Sequence, residues 1–531
     1  MKKKILFALL SFLPFLTFAQ EIAKKGLDQK IDEAFGAATG WFVQIIFYQI
    51  PFSESVKVYW VLFPLIIGAI YFTIYFKFIN LRGFLTSIRI VRGNYDDIDH
   101  VTSLEAAGDS TPGGDAIETA RIEDHEGEVS HFQALTAALS ATVGLGNIAG
   151  VAIALSIGGA GATFWMIIAG FLGMASKFVE CTLGVKYRDI DKNGTVYGGP
   201  MYYLKKGLKE KNLVGLGKVL AGIFAVMVIG GSFGGGNMFQ VNQAFQLVEN
   251  ITGGETSFFH NRGWLFGLII AILVGIVIIG GIKKIAKVTD KIVPFMVAIY
   301  VAASLFILIM KFDQIGNAFT QIFDGAFSAK GIAGGVVGVL VQGFKRAAFS
   351  NEAGIGSASI AHSAVKTKYA ASEGLVALLE PFIDTVIVCT MTALVLIITG
   401  FVDTNNSGMN NAQAILLTSS AFGSAISWFP YVLTIAVVLF AFSSMISWSY
   451  YGYQGWSYLF GRSKKMEYTY KTIFCLFVIV GAASQLNSVL DFSDAMIFAM
   501  MVPNMIGLVI LAPKVKGELA KFMNAIKPKK T

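Results

Sequence analysis

The chain is poor in charge. Lys, Arg, Asp and Glu fill only 14% of its 531 positions, against roughly 25% in an average soluble domain. That shortage excludes an ordinary water-exposed surface over most of the chain. Hydrophobic residues fill 55% of the positions, so we expect most of the chain to face lipid or other apolar helices.

Cysteine and histidine are also scarce. The three cysteines, Cys181, Cys389 and Cys475, lie in apolar stretches without CxxC spacing, which favours inert packing residues over a metal or redox centre. The five histidines fall in loops or at helix ends, and no HExxH motif occurs. Ser357 and His362 are poorly spaced for a nucleophile and its base on one helix. We therefore expect neither an enzyme nor a cofactor.

Residues 1–19 have the pattern of a targeting segment. Three lysines precede an apolar run over 5–18, and small and polar residues follow. The pattern predicts a cleavable signal peptide, with an uncleaved anchor as the alternative. Residues 20–56 would then begin outside the cytoplasm, as an amphipathic segment along the membrane surface.

Long apolar runs divide the remainder of the chain. They predict an all-α polytopic membrane protein with about eleven spanning segments. The predicted spans are roughly 57–79, 131–157, 160–185, 217–249, 264–282, 290–311, 332–362, 372–400, 424–460, 468–486 and 492–513. The acidic, Gly-rich residues 93–130 form a loop after the first span.

Basic residues occupy every second connection, and six lysines lie in the tail 514–531. The positive-inside rule therefore places the C-terminus in the cytoplasm, and an odd number of spans places the mature N-terminus outside. We expect a multi-pass protein of a bacterial plasma (inner) membrane. The net charge of +8 comes from these short clusters, so no nucleic-acid partner is expected, and no obligatory protein partner is inferred.

The span 131–157 carries Thr142, Gly144, Gly146 and Asn147 at its centre. A helix interruption at membrane depth is tolerated only where protein or a watery cavity surrounds it. In carriers, such an interruption exposes backbone groups to a small charged substrate and its coupling ion. This segment therefore suggests a solute transporter.

A second interrupted span is predicted at 332–362, where Gly334, Gly335, Gly338 and Gly343 break the apolar run. The two interrupted spans head five-helix units that run in opposite directions. That arrangement predicts an inverted five-plus-five repeat with discontinuous helices, preceded by one extra span. The first repeat would cover 131–331 and the second 332–513, after the extra span and loop at 57–130.

Several motifs together resemble one transporter family, in the expected order from about residue 57 to 515. They are ALSATVGLGNIAGVAIALSIGGAGATFWMIIAGFLGMASKFVE (138–180), VYGGPMYYL (196–204), GNMFQVNQ (236–243), FKRAAFSNEAGIGSASIAHSAVKT (344–367), LLEPFIDTVIVCTMTALV (378–395) and FAFSSMISWSYYGYQ (440–454). They are similar to the bacterial and archaeal alanine or glycine:cation symporter family. The resemblance implies a leucine-transporter-type core and uptake of alanine or glycine driven by Na⁺, less often by H⁺.

A zwitterionic amino acid needs partners for both of its charges in a low-dielectric site. Free N–H groups at an interrupted helix bind a carboxylate, while carbonyls or the Asn147 amide take the ammonium or the ion. The predicted substrate-binding residues are Thr142, Gly144, Gly146, Asn147, Gln240, Gln243, Gly338 and Gly343. Helix packing is the alternative for the glycines and for the glutamine amides.

The predicted ion-binding residues are Val143, Ser443 and Ser444. Hard cations prefer oxygen ligands, which hydroxyls and carbonyls supply. The resemblance sets the helix with the two serines against the first interrupted span. The alternative is that both hydroxyls bond back to their own helix. Trp448 either walls the cavity or belongs to an interfacial aromatic belt.

Lys345, Arg346, Glu380 and Asp384 are predicted to form a gating ion-pair network. Buried charges usually pair with counter-ions or mark a proton relay. We favour the ion-pair network, because the sequence places no intramembrane histidine nearby. Lys177 and Glu180 are interpreted as a surface pair.

A channel is the main rival to a carrier, because interrupted helices occur in channels as well. The expected ligands are a small neutral amino acid and Na⁺, with no other metal and no cofactor. Glutamine as substrate and H⁺ as coupling ion stay open as alternatives.

Single-cysteine labelling tests the orientation. In a Cys-free background, Thr256→Cys should react with an impermeant maleimide in intact cells, because 250–263 is predicted to lie outside. Lys527→Cys should react only after permeabilisation. Protection at 256 with labelling at 527 in intact cells would overturn the topology.

Overall fold

The computed structural model describes residues 27–52, 57–99, 127–327, 335–401 and 414–527. The predicted signal peptide, most of the acidic loop 93–130 and the last residues of the basic tail lie outside these ranges. The described chain is mostly helical, as predicted. It also holds two short antiparallel strand pairs, β1 (Gln49–Pro51) with β2 (Lys57–Tyr59) and β3 (Asp189–Ile190) with β4 (Val196–Tyr197).

The N-terminal part contains one long amphipathic helix and several shorter ones. They are α1 (Leu27–Ile46), α2 (Leu62–Tyr75), α3 (Ile79–Arg82), α4 (Phe84–Val91) and α5 (Asp96–Asp99). The Phe35 ring of α1 packs edge-on against the Phe492 ring, with centroids 5.0 Å apart. Helix α1 is therefore docked on the C-terminal helix of the bundle.

The next part of the chain, up to residue 327, contains nine helices. They are α6 (His131–Thr142), α7 (Val151–Gly158), α8 (Gly161–Lys186), α9 (Pro200–Glu210), α10 (Val214–Phe233), α11 (Phe239–Ile251), α12 (Gly263–Ile278), α13 (Gly281–Met310) and α14 (Phe312–Phe327). π-Helical turns, Gly146–Gly150 and Gly234–Met238, lead into α7 and α11. A capping box begins α6: Gln133 N–H donates to Ser130 Oγ, and Ser130 N–H donates to Gln133 Oε1.

Residues 335–401 and 414–527 contain the remaining helices. They are α15 (Gly335–Asn351), α16 (Ala358–His362), α17 (Ala370–Val376), α18 (Leu379–Pro381), α19 (Thr390–Ile398), α20 (Ala414–Ala425), α21 (Phe429–Phe460), α22 (Lys464–Ala483) and α23 (Leu486–Ala525). A π-helical stretch, Phe382–Cys389, joins α18 to α19.

Among the described residues, seven continuous helical stretches are long and apolar enough to cross a membrane, and the pair α6–α7, bent by 52°, makes an eighth candidate. Each of these eight candidates coincides with a predicted span. The chain is therefore a multi-pass membrane protein. The predicted spans 57–79 and 264–282 appear as the shorter apolar helices α2 and α12. The count of eleven and the inverted repeat stay predictions.

Two predicted connections contain helices. Helix α14 lies in the predicted connection 312–330, and α20 lies in the predicted connection 401–423. Both were missed because the prediction looked for continuous apolar runs of spanning length. The polar residues of α14 interrupt such a run, and α20, at 12 residues, is too short for one.

The predicted position of the second interruption was wrong. Helix α15 runs without a break from Gly335 to Asn351, so Gly338 and Gly343 lie inside it. The interruption follows, where Glu352, Gly354 and Gly356 all adopt positive φ. A Cβ atom at Gly343 would lie 2.5 Å from Trp165 Cβ and 2.7 Å from Ala162 O of α8. Gly343 therefore permits close packing of α15 against α8, and α15 continues through it without a break.

Gly343→Ala should therefore lower the melting temperature and the yield of folded protein. The added methyl overlaps helix α8, and overpacking of this kind costs about 1–3 kcal/mol. Gly222→Ala is the matched control, because a Cβ at Gly222 of α10 meets nothing within 4 Å. Equal thermal stability of the two variants in detergent would contradict the packing role of Gly343.

Candidate functional site

The first interruption exposes backbone N–H groups inside the bundle. Helix α6 ends at Thr142, and Val143 is extended, with φ −74° and ψ 91°. Gly144 N–H donates to Asn147 Oδ1 at 2.8 Å, and Leu145 N–H lies 3.5 Å from Gln240 Oε1. Side chains therefore take over the hydrogen bonds that the broken helix has lost.

A small cavity of about 10 Å³ lies beside this interruption. Both interruptions, with the ends of α6 and α15 next to them, meet there with the π-helical turn before α11 and helices α11, α21 and α23. The lining residues are Ala141, Thr142, Gly146, Gly235, Gln240, Phe349, Glu352, Trp448 and Ile497. Every polar side chain among them is at most 5% exposed. A cavity of this size has room for about one water molecule, so a ligand must displace side chains or backbone to bind.

The two glycines of the first interruption have different amounts of space beside them. A Cβ at Gly146 would lie 3.5 Å from Ser350 Cα, its nearest neighbour, so no tight helix contact requires this glycine. A Cβ at Gly144 would lie only 2.7 Å from Ser444 Oγ. Gly146 thus leaves space open to the cavity, and Gly144 allows the close approach of a hydroxyl.

Not all of the predicted substrate-binding residues lie together. Thr142, Gly146 and Gln240 line the cavity, with Gly144 and Asn147 next to them. Gln243, Gly338 and Gly343 are not among the lining residues. Gln243 is fully buried, and neither of its amide atoms has a hydrogen-bond partner among the described residues.

The two predicted ion-site serines make different contacts. Ser444 Oγ donates to Ser140 O at 2.9 Å, and Ser140 Oγ donates to Ser443 O at 2.8 Å, which joins α21 to α6 by a reciprocal pair. Ser443 Oγ instead donates to Phe440 O of its own helix at 3.0 Å. Hydroxyl and carbonyl oxygens thus gather one turn from Val143. Such oxygens are the ligands that a hard cation prefers.

Asp384 connects the two interruptions. Its Oδ1 accepts from Asn147 Nδ2 at 2.6 Å, and its Oδ2 accepts from Ser350 Oγ at 2.8 Å and Thr385 Oγ1 at 2.7 Å. The side chain is fully buried, and no Lys, Arg or His forms an ion pair with it within the described ranges. A buried carboxylate held only by neutral donors is a natural partner for a cation.

The predicted network of four charged residues is in fact divided between separate sites. Lys345 Nζ and Arg346 Nη2 lie 3.0 Å and 3.2 Å from Asp494 Oδ2, and neither pairs with Glu380 or Asp384. The Arg346 guanidinium lies 5.8 Å from the Phe349 ring centroid, and Phe349 lines the cavity. Asp494 was missed because it is 148 positions away in sequence. We name the contacts of Lys345 and Arg346 with Asp494 the outer ion pair.

The interpretation of Lys177 and Glu180 as a surface pair was wrong. Both side chains are fully buried, and Lys177 Nζ lies 2.9 Å from Glu380 Oε1 but 3.9 Å from Glu180 Oε1. The expectation of no histidine nearby was also wrong, because His362 Nε2 lies 3.5 Å from Glu380 Oε2. The position of Lys177 within the predicted span 160–185 was the available signal, since a lysine is almost never buried unless it is paired.

Glu352 is a charged residue of the cavity wall to which the sequence analysis assigned no role. It follows α15 directly, has a φ of 55° and is 2% exposed. Ser357 Oγ donates to its Oε2. An acid inside the Gly-rich stretch NEAGIGS was the available signal. Trp448, for which two interpretations were open, is 1% exposed and walls the cavity.

A comparison with solved structures identifies the fold. The crystal structure of MhsT in complex with L-phenylalanine matches 75% of this chain and 99% of its own, with a TM-score of 0.53 and 17% sequence identity. This match confirms the predicted leucine-transporter-type fold.

Comparisons of sequence identify the family. The model of the sodium:alanine symporter family matches residues 114–531. The sodium/alanine symporter AgcS of Methanococcus maripaludis is 42% identical over 75% of this chain and 85% of its own length. In Bacillus subtilis, the probable sodium/glutamine symporter GlnT is 32% identical over 85% of both chains. The putative sodium/proton-dependent alanine carrier YrbD of that species is 33% identical over 73% of this chain and 79% of its own. The chain belongs to the sodium:alanine symporter family.

Proposed function

We propose that the protein imports a small neutral amino acid, alanine or glycine, together with Na⁺ by alternating access. The observation that supports this most directly is the cavity between the two helix interruptions, which combines backbone N–H groups bonded only to the side chains of Asn147 and Gln240, a carboxylate and an adjacent cluster of hydroxyl oxygens. Family membership supports sodium-coupled amino-acid transport. The choice of alanine or glycine follows the family description and the relative AgcS, a sodium/alanine symporter.

The two charges of an amino acid find complementary groups around the cavity. The N–H groups at Gly144–Gly146 suit the carboxylate, as at any helix N-terminus. Glu352 lies on the cavity wall, with one oxygen held by Ser357 and the other without a hydrogen bond from the described residues. It provides the counter-charge for the ammonium group. The rings of Trp448 and Phe349 line the cavity and limit the size of the substrate side chain that it can hold.

Two oxygen-rich positions lie next to the cavity and suit the coupling ion. One is formed by Ser443, Ser444 and the Val143 backbone at the contact of α6 with α21. The other surrounds Asp384, with Asn147 and Ser350. Both contact the interrupted helices that would also hold the substrate, so ion and substrate can stabilise one another there.

Alternating access requires a closure on each side of the cavity. The outer ion pair holds α15, before the second interruption, against α23. Lys177, Glu380 and His362 hold the segments that follow that interruption against α8. With the positive-inside orientation, the first closure faces the outside and the second faces the cytoplasm of a bacterium.

Uptake into proteoliposomes tests the function. With an inward Na⁺ gradient, alanine or glycine should accumulate and saturate, and without the gradient it should not. Lactate should compete poorly, because it has the carboxylate but lacks the ammonium that Glu352 would bind. Better competition by glutamine than by alanine would favour a GlnT-like substrate range. Flux that does not saturate and is independent of the gradient would indicate a channel.

Gly146→Ala should nearly abolish uptake while the protein still folds. The added methyl enters the cavity without any protein contact shorter than 3.5 Å, so it competes with the substrate rather than with the fold. Gly150→Ala is the matched control, because this glycine lies in the same π-helical turn outside the cavity, and the nearest atom to its Cβ is at 4.0 Å. Normal alanine affinity in Gly146→Ala would remove the backbone contact from the proposal.

Ser443→Ala/Ser444→Ala should need far more Na⁺ for half-maximal uptake. Loss of one charge-assisted contact costs about 1.5–3 kcal/mol, or roughly ten- to hundred-fold in ion affinity. Ser444→Ala alone should account for most of the effect, since its hydroxyl reaches α6. Ser449→Ala controls for loss of a buried hydroxyl that bonds only within α21. An unchanged Na⁺ requirement in the double variant would place the ion elsewhere.

A further inference from the structure

A chain of buried acidic and basic side chains lies beyond the proposed substrate and ion sites. His131 and His362 each contact Glu373 through Nδ1, the second at 2.5 Å. His362 Nε2 faces Glu380, which in turn pairs with Lys177. We name His131, Glu373, His362, Glu380 and Lys177 the inner charge chain.

The inner charge chain joins the ends of the two interrupted spans. His131 is the first residue of α6 and His362 is the last residue of α16, and Glu373 of α17 contacts both. Backbone hydrogen bonds join the same two ends, from Glu128 N to Ala364 O and from Lys366 N to Val129 O, each 2.8 Å. This side of the cavity can open only if these contacts separate.

The surrounding residues carry an excess of negative charge. Five buried carboxylates, Glu180, Glu352, Glu373, Glu380 and Asp384, face one buried lysine, and each of these six side chains is at most 2% exposed. Two protonated histidines would still leave the carboxylates in excess. Cys181, Tyr203 and Tyr451 lie near the buried carboxylates and add no positive charge. Arg188 adds one at the end of the inner charge chain, where it donates to Ser363 O and Val365 O at 2.9 Å and 2.5 Å.

His362 occupies the position where one proton has most effect. As an imidazolium it would sit between the carboxylates of Glu373 and Glu380 and neutralise part of a buried excess that is otherwise costly. As a neutral ring it would leave those two carboxylates facing each other across a group with no charge. Neither His362 Nε2 nor Glu380 Oε2 has a hydrogen-bond partner among the described residues. The contact between these two atoms is therefore electrostatic.

We propose that the inner charge chain is a proton-binding site that controls the opening of the cytoplasmic side. As the cytoplasmic side closes, a proton passes from cytoplasmic water to His131, whose side chain is 6% exposed, and through Glu373 to His362. It returns to the same water when the side opens, so no proton crosses the membrane and none is consumed. The proposal rests on the proposed function, because it assumes an alternating-access carrier in the predicted orientation.

The test is alanine exchange at saturating Na⁺ in proteoliposomes, at pH values from 6 to 9 that are equal on both sides. Wild-type exchange should rise with pH by about five- to tenfold across the range in which histidine titrates. His362→Gln keeps a polar side chain but binds no proton, so its rate should vary less than about twofold and stay near the wild-type alkaline value. Glu373→Gln should flatten the profile as well.

His260→Gln is the matched control. His260 pairs with Glu249 at 2.9 Å in the connection predicted to lie outside, and its side chain is 40% exposed. This variant should keep the wild-type profile. Equilibrium binding of radiolabelled alanine, measured on each variant, shows that the protein is folded.

The outcomes separate the two proposals. Sodium-dependent alanine binding with a wild-type exchange rate that is flat, or that falls with pH, would overturn the proton site and leave the carrier function intact. A wild-type profile retained in His362→Gln, or a His362→Gln rate that is slow at every pH, would also overturn it. A wild-type protein that binds no alanine would overturn the proposed function and this inference together.

Discussion

The side chain of Asn147 is the interaction on which the rest of the site depends. Its oxygen satisfies the N–H of Gly144 in the first interruption, and its amide nitrogen reaches Ser350 at the second interruption and Asp384 in the π-helical stretch. A broken helix in an apolar interior is stable only if such groups replace its lost hydrogen bonds. The same amide thus links both interruptions to the buried carboxylate of Asp384, so the proposed substrate and ion positions share residues.

The first interruption could be predicted from sequence, and the second could be predicted only roughly. Thr142 to Asn147 stand out because polar and glycine residues occur together in an apolar run. Gly338 and Gly343 gave a similar signal but lie inside α15. Gly343 is packed against α8, and a glycine in such a contact keeps its helical hydrogen bonds. A single sequence does not distinguish glycines that break a helix from glycines that let two helices approach.

The partners of the charged residues could not be read from the sequence. Lys177 contacts Glu380, 203 positions away, and Arg346 contacts Asp494, 148 positions away. These pairs depend on the packing of α8 against α18 and of α15 against α23, which no local pattern encodes. The sequence does indicate that charges at this depth need partners, and Lys345, Arg346 and Glu380 each have one in the structure.

The two sides of the cavity differ in the kind of charge that closes them. The outer ion pair sets the basic side chains of Lys345 and Arg346 against Asp494. The inner charge chain instead combines carboxylates with two histidines, the residue type whose ordinary pKa lies closest to neutral pH. A carrier must release its ligands into a cytoplasm that already contains them, so a closure that responds to conditions is most useful on that side. The placement of histidine between carboxylates there, and of arginine and lysine on the other side, fits that requirement.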